Sequence, residues 1–187
     1  MQQRKELKVV LVESFKELAL EEPVDKITIK EITDRAGVIR VTFYNHFQDK
    51  YELIEWMILT QILEPVEILL KNEMYREAML LIFTNIVREK DLYLRLYRMG
   101  GQVPFDSIIK KCIHIVLHHF LLDHIGDKRL KYDWLSVDNI ADYYTQSMAF
   151  VINGWLQTGL AVSPQEMAEL YEYLAHHSMF DLMDDLS

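Results

Sequence analysis

A single cysteine, Cys112, stands in the 187 residues, so the chain cannot close an internal disulfide and a reducing compartment is expected. No apolar run reaches the ~18 to 20 residues that a bilayer crossing needs, so no membrane partner is expected. The opening residues, MQQRKELKVVLVESF, scatter charges along the segment and offer no small-residue cleavage site. That argues against a secretory signal and for the cytoplasm. Sustained period-two alternation is missing, and so are internal repeats and low-complexity stretches. There is also no nucleophile elbow, no glycine-rich phosphate loop and no carboxylate pair in a plausible cleft, so neither catalysis nor a cofactor is expected.

The most local absence is of acid. The chain as a whole has 20 Lys and Arg against 29 Asp and Glu, which argues against an indiscriminate nucleic-acid coat. Residues 1–50 carry nine basic and nine acidic side chains, leaving eleven and twenty for residues 51–187. All the excess acid therefore lies outside the first segment, and from Arg35 to Gln48 there is no carboxylate at all. Two parts with different partners are expected, residues 1–50 and residues 51–187.

What is present is helical periodicity. Leu7, Val10, Leu11, Ser14, Phe15 and Leu18 recur at three- and four-residue steps, the spacing of one buried helix face. Pro23 and the polar residues around it end that helix. Thr28 followed by Glu31 makes a capping box that starts a second helix, which Gly37 stops after about two turns. A third short helix is expected from about Arg40 to Phe47. Asp49 and Glu52 form another start signal, opening a helix that is apolar almost all round and that Pro65 should kink or break. Further helices are expected over Glu73 to about Arg88, Asp91 to Met99, a stripe from Phe105 to Leu121, Ser136 to Thr158, and from Ser163 onward, where Ser-Pro-Gln-Glu is the clearest start in the chain. The expectation is an all-α protein of eight to ten helices.

Two short helices joined at Gly37 and braced by a longer one form a helix-turn-helix pattern, in which the second helix enters the DNA major groove. Arg40 can fork onto guanine or a phosphate, and the Thr42 hydroxyl can reach a base edge or a phosphate. Tyr44 and His46 offer polar tips on rigid rings, and Asn45 could pair with adenine. Thr28 and Lys50 sit at helix N-termini, where backbone amides favour phosphate oxygens. Ile32, Ala36, Val38, Phe43 and Phe47 fit the small core.

The stretch ITIKEITDRAGVIRVTFYNHFQDKYELI resembles the N-terminal signature of TetR-family transcriptional regulators. The matching residues are Ile27-Thr28, Ala36-Gly37-Val38, Thr42-Phe43-Tyr44, and Phe47 with Lys50 and Leu53. Val41 stands where the family commonly has a small residue; its branched side chain could contact a thymine methyl or crowd the backbone, so the operator sequence cannot be inherited. More diffusely, YLRLYRMGG and YYTQSMAFVINGWLQTGLAVSPQEMAEL resemble a subgroup that includes activators of dihydroxyacetone kinase operons. The resemblance implies an N-terminal three-helix head that binds an inverted-repeat, double-stranded DNA operator. It further implies a C-terminal helical domain for effector sensing and homodimerisation, with the last two helices at the dimer interface. The stripe Met167, Leu170, Tyr171, Leu174, Ser178 and Leu182 agrees with such an interface. The expected function is an effector-responsive repressor, with a co-regulator acting through a partner protein as the rival.

For the effector, Trp56, Tyr93, His119 and Trp155 are the candidate lining residues, and the nine methionines could help to shape an adaptable cavity. Arg95, Tyr97 and Arg98 could line an anion pocket, or the arginines could simply complement a helix C-terminus. His114 and His118 have an i, i+4 metal-ligand spacing. At 100° per residue they fall opposite the apolar stripe, so a solvated face is the plainer expectation and no metal is expected. His119 alone flanks the stripe.

Overall fold

The computed structural model describes residues 2–126 and 130–184, the side chains of residues 2–5, 179, 182 and 184 excepted. Leu182, expected on the terminal stripe, is therefore outside the described side chains. The described residues contain no strand, and the all-α expectation holds.

Helix α1 (Gln2–Glu21) supports α2 (Ile29–Arg35) and α3 (Arg40–Tyr44). The long connector follows as α4 (Lys50–Ile58), a π-helical turn over Leu59–Leu63, and α5 (Glu64–Lys71). The body is completed by α6 (Tyr75–Arg88), α7 (Lys90–Tyr97), α8 (Phe105–Ile125), α9 (Val137–Gln157), α10 (Pro164–His176) and the short α11 (Met179–Asp184). The described helices thus exceed the expected eight to ten by one, and α3 ends three residues earlier than expected. Glu73, expected to open a helix, instead occupies a left-handed turn at φ 59° between α5 and α6.

The start and stop signals work as their chemistry dictates. Thr28 accepts from the Glu31 amide, while Glu31 accepts in return from the Thr28 amide at 2.8 Å. Asp49 accepts from the amides of Tyr51 and Glu52, and Ser163 from that of Glu166. Gly37 and Gly159 take left-handed φ values of 67° and 72° just past their helices. No atom lies within 4 Å of where a Gly37 Cβ would stand, so only backbone strain opposes a side chain there. Gly37→Ala should cost roughly 1–2 kcal/mol, read as a lower urea midpoint.

The α-helical register of the connector is interrupted just before Pro65. Pro65 has no amide hydrogen to give the Gln61 carbonyl, and the helix answers by widening its register in the preceding turn. The Glu64 amide bonds back five residues to the Leu59 carbonyl, and α-helix resumes with Pro65 in its first turn.

One continuous apolar core runs from Leu11 to Ala168. Helices α8 and α9 pack antiparallel, Asp106 accepting from Asn153 at 2.7 Å near one end and His118 facing Asp138 at 3.0 Å near the other. The Gly100 amide donates to Asp25 in the α1–α2 loop at 2.9 Å, and the Lys111 ammonium on α8 meets Glu55 on α4 at 2.6 Å.

Candidate functional site

Helix α3 is pinned from beneath. Phe43 and Phe47 are 0% and 2% exposed, their rings 5.7 Å apart, and Phe47 also meets Trp56 at 6.0 Å. The opposite face is bare: Ile39, Val41 and Tyr44 are 71%, 62% and 57% exposed. Arg40 and Asn45 are exposed as well, while Thr42 and His46 are half-buried. Large side chains left in water around an arginine, with no carboxylate among them, make a surface built to be covered.

The other cations near it are committed elsewhere. Arg35 is forked onto Glu21 at 2.7 and 2.9 Å and reaches Glu17 at 3.2 Å, tying α2 to α1. Its pKa is raised by these hydrogen bonds, that to Glu21 foremost, and those same bonds hold Glu21 below the ordinary carboxylate value. The Lys8 ammonium lies over the rings of Phe47 and Trp56, 4.9 and 5.3 Å from their centroids.

Lys50 is not available at a helix N-terminus. Its ammonium donates to the carbonyls of Val24, Asp25 and Ile27 at 2.9, 3.0 and 3.0 Å, using all three of its donors to hold the α1–α2 loop. This corrects the expectation of a phosphate contact. Thr28 is likewise occupied, its hydroxyl donating to Glu31 at 2.6 Å. A phosphate at the α2 N-terminus would meet the Glu31 carboxylate already seated there.

That carboxylate is held below its ordinary pKa, chiefly by the Thr28 hydroxyl and then by the Thr28 amide. A lowered folded-state pKa means a contribution fully present above the unfolded value of 4.5 and lost as pH falls through the lower folded one. Thr28→Ala, which removes the N-cap side chain of α2, should lower the urea midpoint of unfolding at neutral pH. Thermal melts should show the gap between the variant and the parent narrowing below about pH 4.

The four residues expected around an effector do not share a cavity. Trp56 packs onto Phe47 and Lys8 of the first segment, because its face of α4 turns back toward α3. Trp155 is buried edge-on against Phe83 at 5.2 Å, its indole nitrogen donating to the Val162 carbonyl at 2.9 Å. It clamps the α9–α10 turn. His119 is exposed and faces an outer cleft. Tyr93 alone of the four lines the internal cavity, a space of about 70 Å³. The other walls are aliphatic or Met side chains, among them Ile58, Ile62, Met79, Ile82, Ile113 and Met148. Burial pushes the Tyr93 phenol well above its ordinary pKa, so it stays neutral. Sequence reasoning singled out aromatic and polar residues and the methionines, of which Met79 and Met148 line the cavity, and passed over the aliphatic ones. The usable signal was the all-round apolarity of α4, which means a helix with core on several sides.

His114 and His118 lie on a partly solvated face, against exposed aspartates of α9. Both are half-buried, Nδ1 of His114 lying 3.0 Å from Asp142 and Nε2 of His118 3.0 Å from Asp138. The antiparallel α8–α9 pair sets one i, i+4 couple against the other. Among the described residues, no three His, Cys, Asp or Glu side chains converge as a metal site would require. Arg95 is half-buried and Arg98 exposed at the end of α7, and neither lines the internal cavity.

Comparison with known proteins agrees with this architecture. Residues 12–57 match the family described as bacterial regulatory proteins of the tetR family, and residues 73–177 match the transcriptional regulator C-terminal region. No curated protein matches the chain in sequence. Among solved structures, one similar fold is a TetR-family transcriptional regulator from Syntrophomonas wolfei, at 20% identity, TM-score 0.61, over 89% of this chain and 91% of that one. Another is the dihydroxyacetone kinase operon activator DhaS, at 18% identity, TM-score 0.57, over 90% and 93%. A third is NalD of Pseudomonas aeruginosa, secondary repressor of a multidrug efflux pump, at 17% identity, TM-score 0.55, over 91% and 94%. With both the head and more than half the chain matched by family models, this protein belongs to the TetR family of transcriptional regulators.

Proposed function

We propose that the chain is a cytoplasmic, homodimeric, sequence-specific DNA-binding protein that works by binding rather than catalysis. In this reading residues 1–50 engage an inverted-repeat operator, and residues 51–187 sense an effector and dimerise. The observation that carries it is the bare outer face of α3, with Ile39, Val41 and Tyr44 71%, 62% and 57% exposed around Arg40, on a helix anchored by two buried phenylalanines. A two-fold dimer presents two such faces, so half-sites about one helical turn apart, ~34–36 Å, are expected. Repression is the economical outcome, because a dimer seated over a promoter excludes polymerase without a further contact surface. An activator and a repressor both occur among proteins of this fold.

Effector control fits the connector. Its π-helical turn supplies Ile62 and Leu63 to the internal cavity, while its first residues touch the head. Coupling of this kind is typically ~1–3 kcal/mol and reciprocal.

The test is a mobility-shift titration against DNA flanking the chain's own gene. Arg40→Ala and Tyr44→Ala should each lose roughly 1–3 kcal/mol of operator binding. Arg40→Ala should also flatten the plot of log K against log salt by about one per subunit. Operator affinity within twofold of the parent for both variants would overturn the assignment of α3. Binding that appears only when a neighbouring gene product is added would transfer the function to a co-regulator.

A further inference from the structure

Helix α3 starts without the polar cap used elsewhere in the chain. At the starts of α2, α4, α9 and α10 the side chains of Thr28, Asp49, Ser136 and Ser163 accept from backbone amides of the first turn. Ile39, at the start of α3, makes no such bond. Nor does it pack into the core: Ile39 is 71% exposed, and Val41 two residues on is 62% exposed. Two branched aliphatic side chains thus flank Arg40 at the N-terminal end of a five-residue helix and give it neither a cap nor core burial. We propose that Ile39 and Val41 read thymine. Each covers a thymine C5-methyl in the major groove, so the operator half-site places thymines beside the base pair that Arg40 contacts. The inference rests on the DNA-binding reading and names the sequence feature recognised there.

Position and chemistry together select the occupant. In a helix-turn-helix the N-terminal residues of the second helix meet base edges, and Ile39, Arg40 and Val41 stand at that end of α3. The floor of the major groove offers hydrogen-bonding atoms and one apolar group, the thymine methyl. An aliphatic side chain set against a donor or acceptor strips its water and returns no hydrogen bond, which costs affinity. Against a methyl it removes apolar area from water on both sides. A protein partner could also cover aliphatic side chains, but the surroundings match a polyanion. From Arg35 to Gln48 there is no carboxylate, and Arg40 and Asn45 are exposed beside the pair. Val41 projects into solvent, so it does not crowd the backbone of the head.

The experiment starts from a duplex selected out of a random pool by the full-length protein. Deoxyuridine then replaces thymidine at one half-site position at a time, in both half-sites together, which removes only the methyl group. At two positions, one for each side chain, the parent should bind ~15-fold more weakly: about fourfold for each buried methyl, counted twice by symmetry. Ile39→Ser should erase the loss at one of these positions and Val41→Ser at the other. Ile39→Ser also supplies the missing cap, so its urea midpoint should equal or exceed the parent's. A lower midpoint would show Ile39 serving the chain's own packing and overturn its role as a reader. Uracil tolerated by the parent at every position would overturn the proposal and leave operator binding standing, a result that needs no variant. Sensitivity unchanged in both variants would overturn it as well, the methyls then acting through DNA shape. A pool that yields no bound duplex would remove the DNA-binding reading and the proposal with it.

Discussion

Lys50→Met will unfold at a markedly lower urea concentration than the parent, with a loss of roughly 2–3 kcal/mol, while the salt dependence of its operator binding stays unchanged. Methionine keeps the apolar stem and removes only the ammonium. That group donates to three carbonyls, of Val24, Asp25 and Ile27, in the one loop that joins α1 to α2. Hydrogen bonds to a charged donor are worth about 1.5–3 kcal/mol each, but these share one ammonium. Burial also pushes its pKa below the ordinary lysine value, against the pull of Asp25, Glu22 and Glu31, which marks a desolvation cost that offsets part of the gain. The same loop carries Asp25, which accepts from Gly100 of the body, so the loss should also loosen the contact between body and head. An unaltered urea midpoint together with a shallower salt slope would restore Lys50 as a phosphate contact.

Lys50 also shows where reading the sequence reached its limit. Local chemistry was legible: the capping box at Thr28 and Glu31, the glycine stop at Gly37 and the Ser163 start all depend on residues within a few positions of one another. The head's inner and outer faces were legible too, since Phe43 and Phe47 fall four residues apart on the buried side. What could not be read were partners distant in the chain. Lys50 reaches back 23 to 26 residues, and Arg35 finds Glu21 and Glu17 on another helix. Lys50 looked free for DNA because the groups that satisfy it are set by tertiary packing. The four residues expected around an effector do not share a cavity for a related reason. Aromatic residues attracted attention by chemistry, whereas Trp56 and Trp155 are held by their own neighbours, and the cavity is walled by aliphatic residues from several helices. Only the relative placement of those helices makes a cavity of them.

Phe150→Glu should leave the monomer as stable as the parent yet raise the dimer dissociation constant by at least ~1000-fold. The side chain is 80% exposed, so its replacement removes almost no packing within the chain. Tyr143 lies on the same side of α9 two turns earlier, 68% exposed, and Leu170 and Leu174 on α10 are 43% and 41% exposed. Four large apolar side chains on the two helices expected to form the interface are better explained by a covering copy than by water. In a two-fold interface every substitution occurs twice, and the two new carboxylates would be desolvated without a cation in exchange. A central aromatic lost at ~2 kcal/mol per copy already amounts to a factor near 1000. Operator affinity should fall with it, because each half-site would then be bound without the effective concentration supplied by the tethered partner. Sedimentation equilibrium at micromolar protein, with a urea titration run beside it, reads both quantities. A parent protein that sediments as a monomer would remove the dimer from the functional reading. A Phe150→Glu variant that remains dimeric would place the interface on another face.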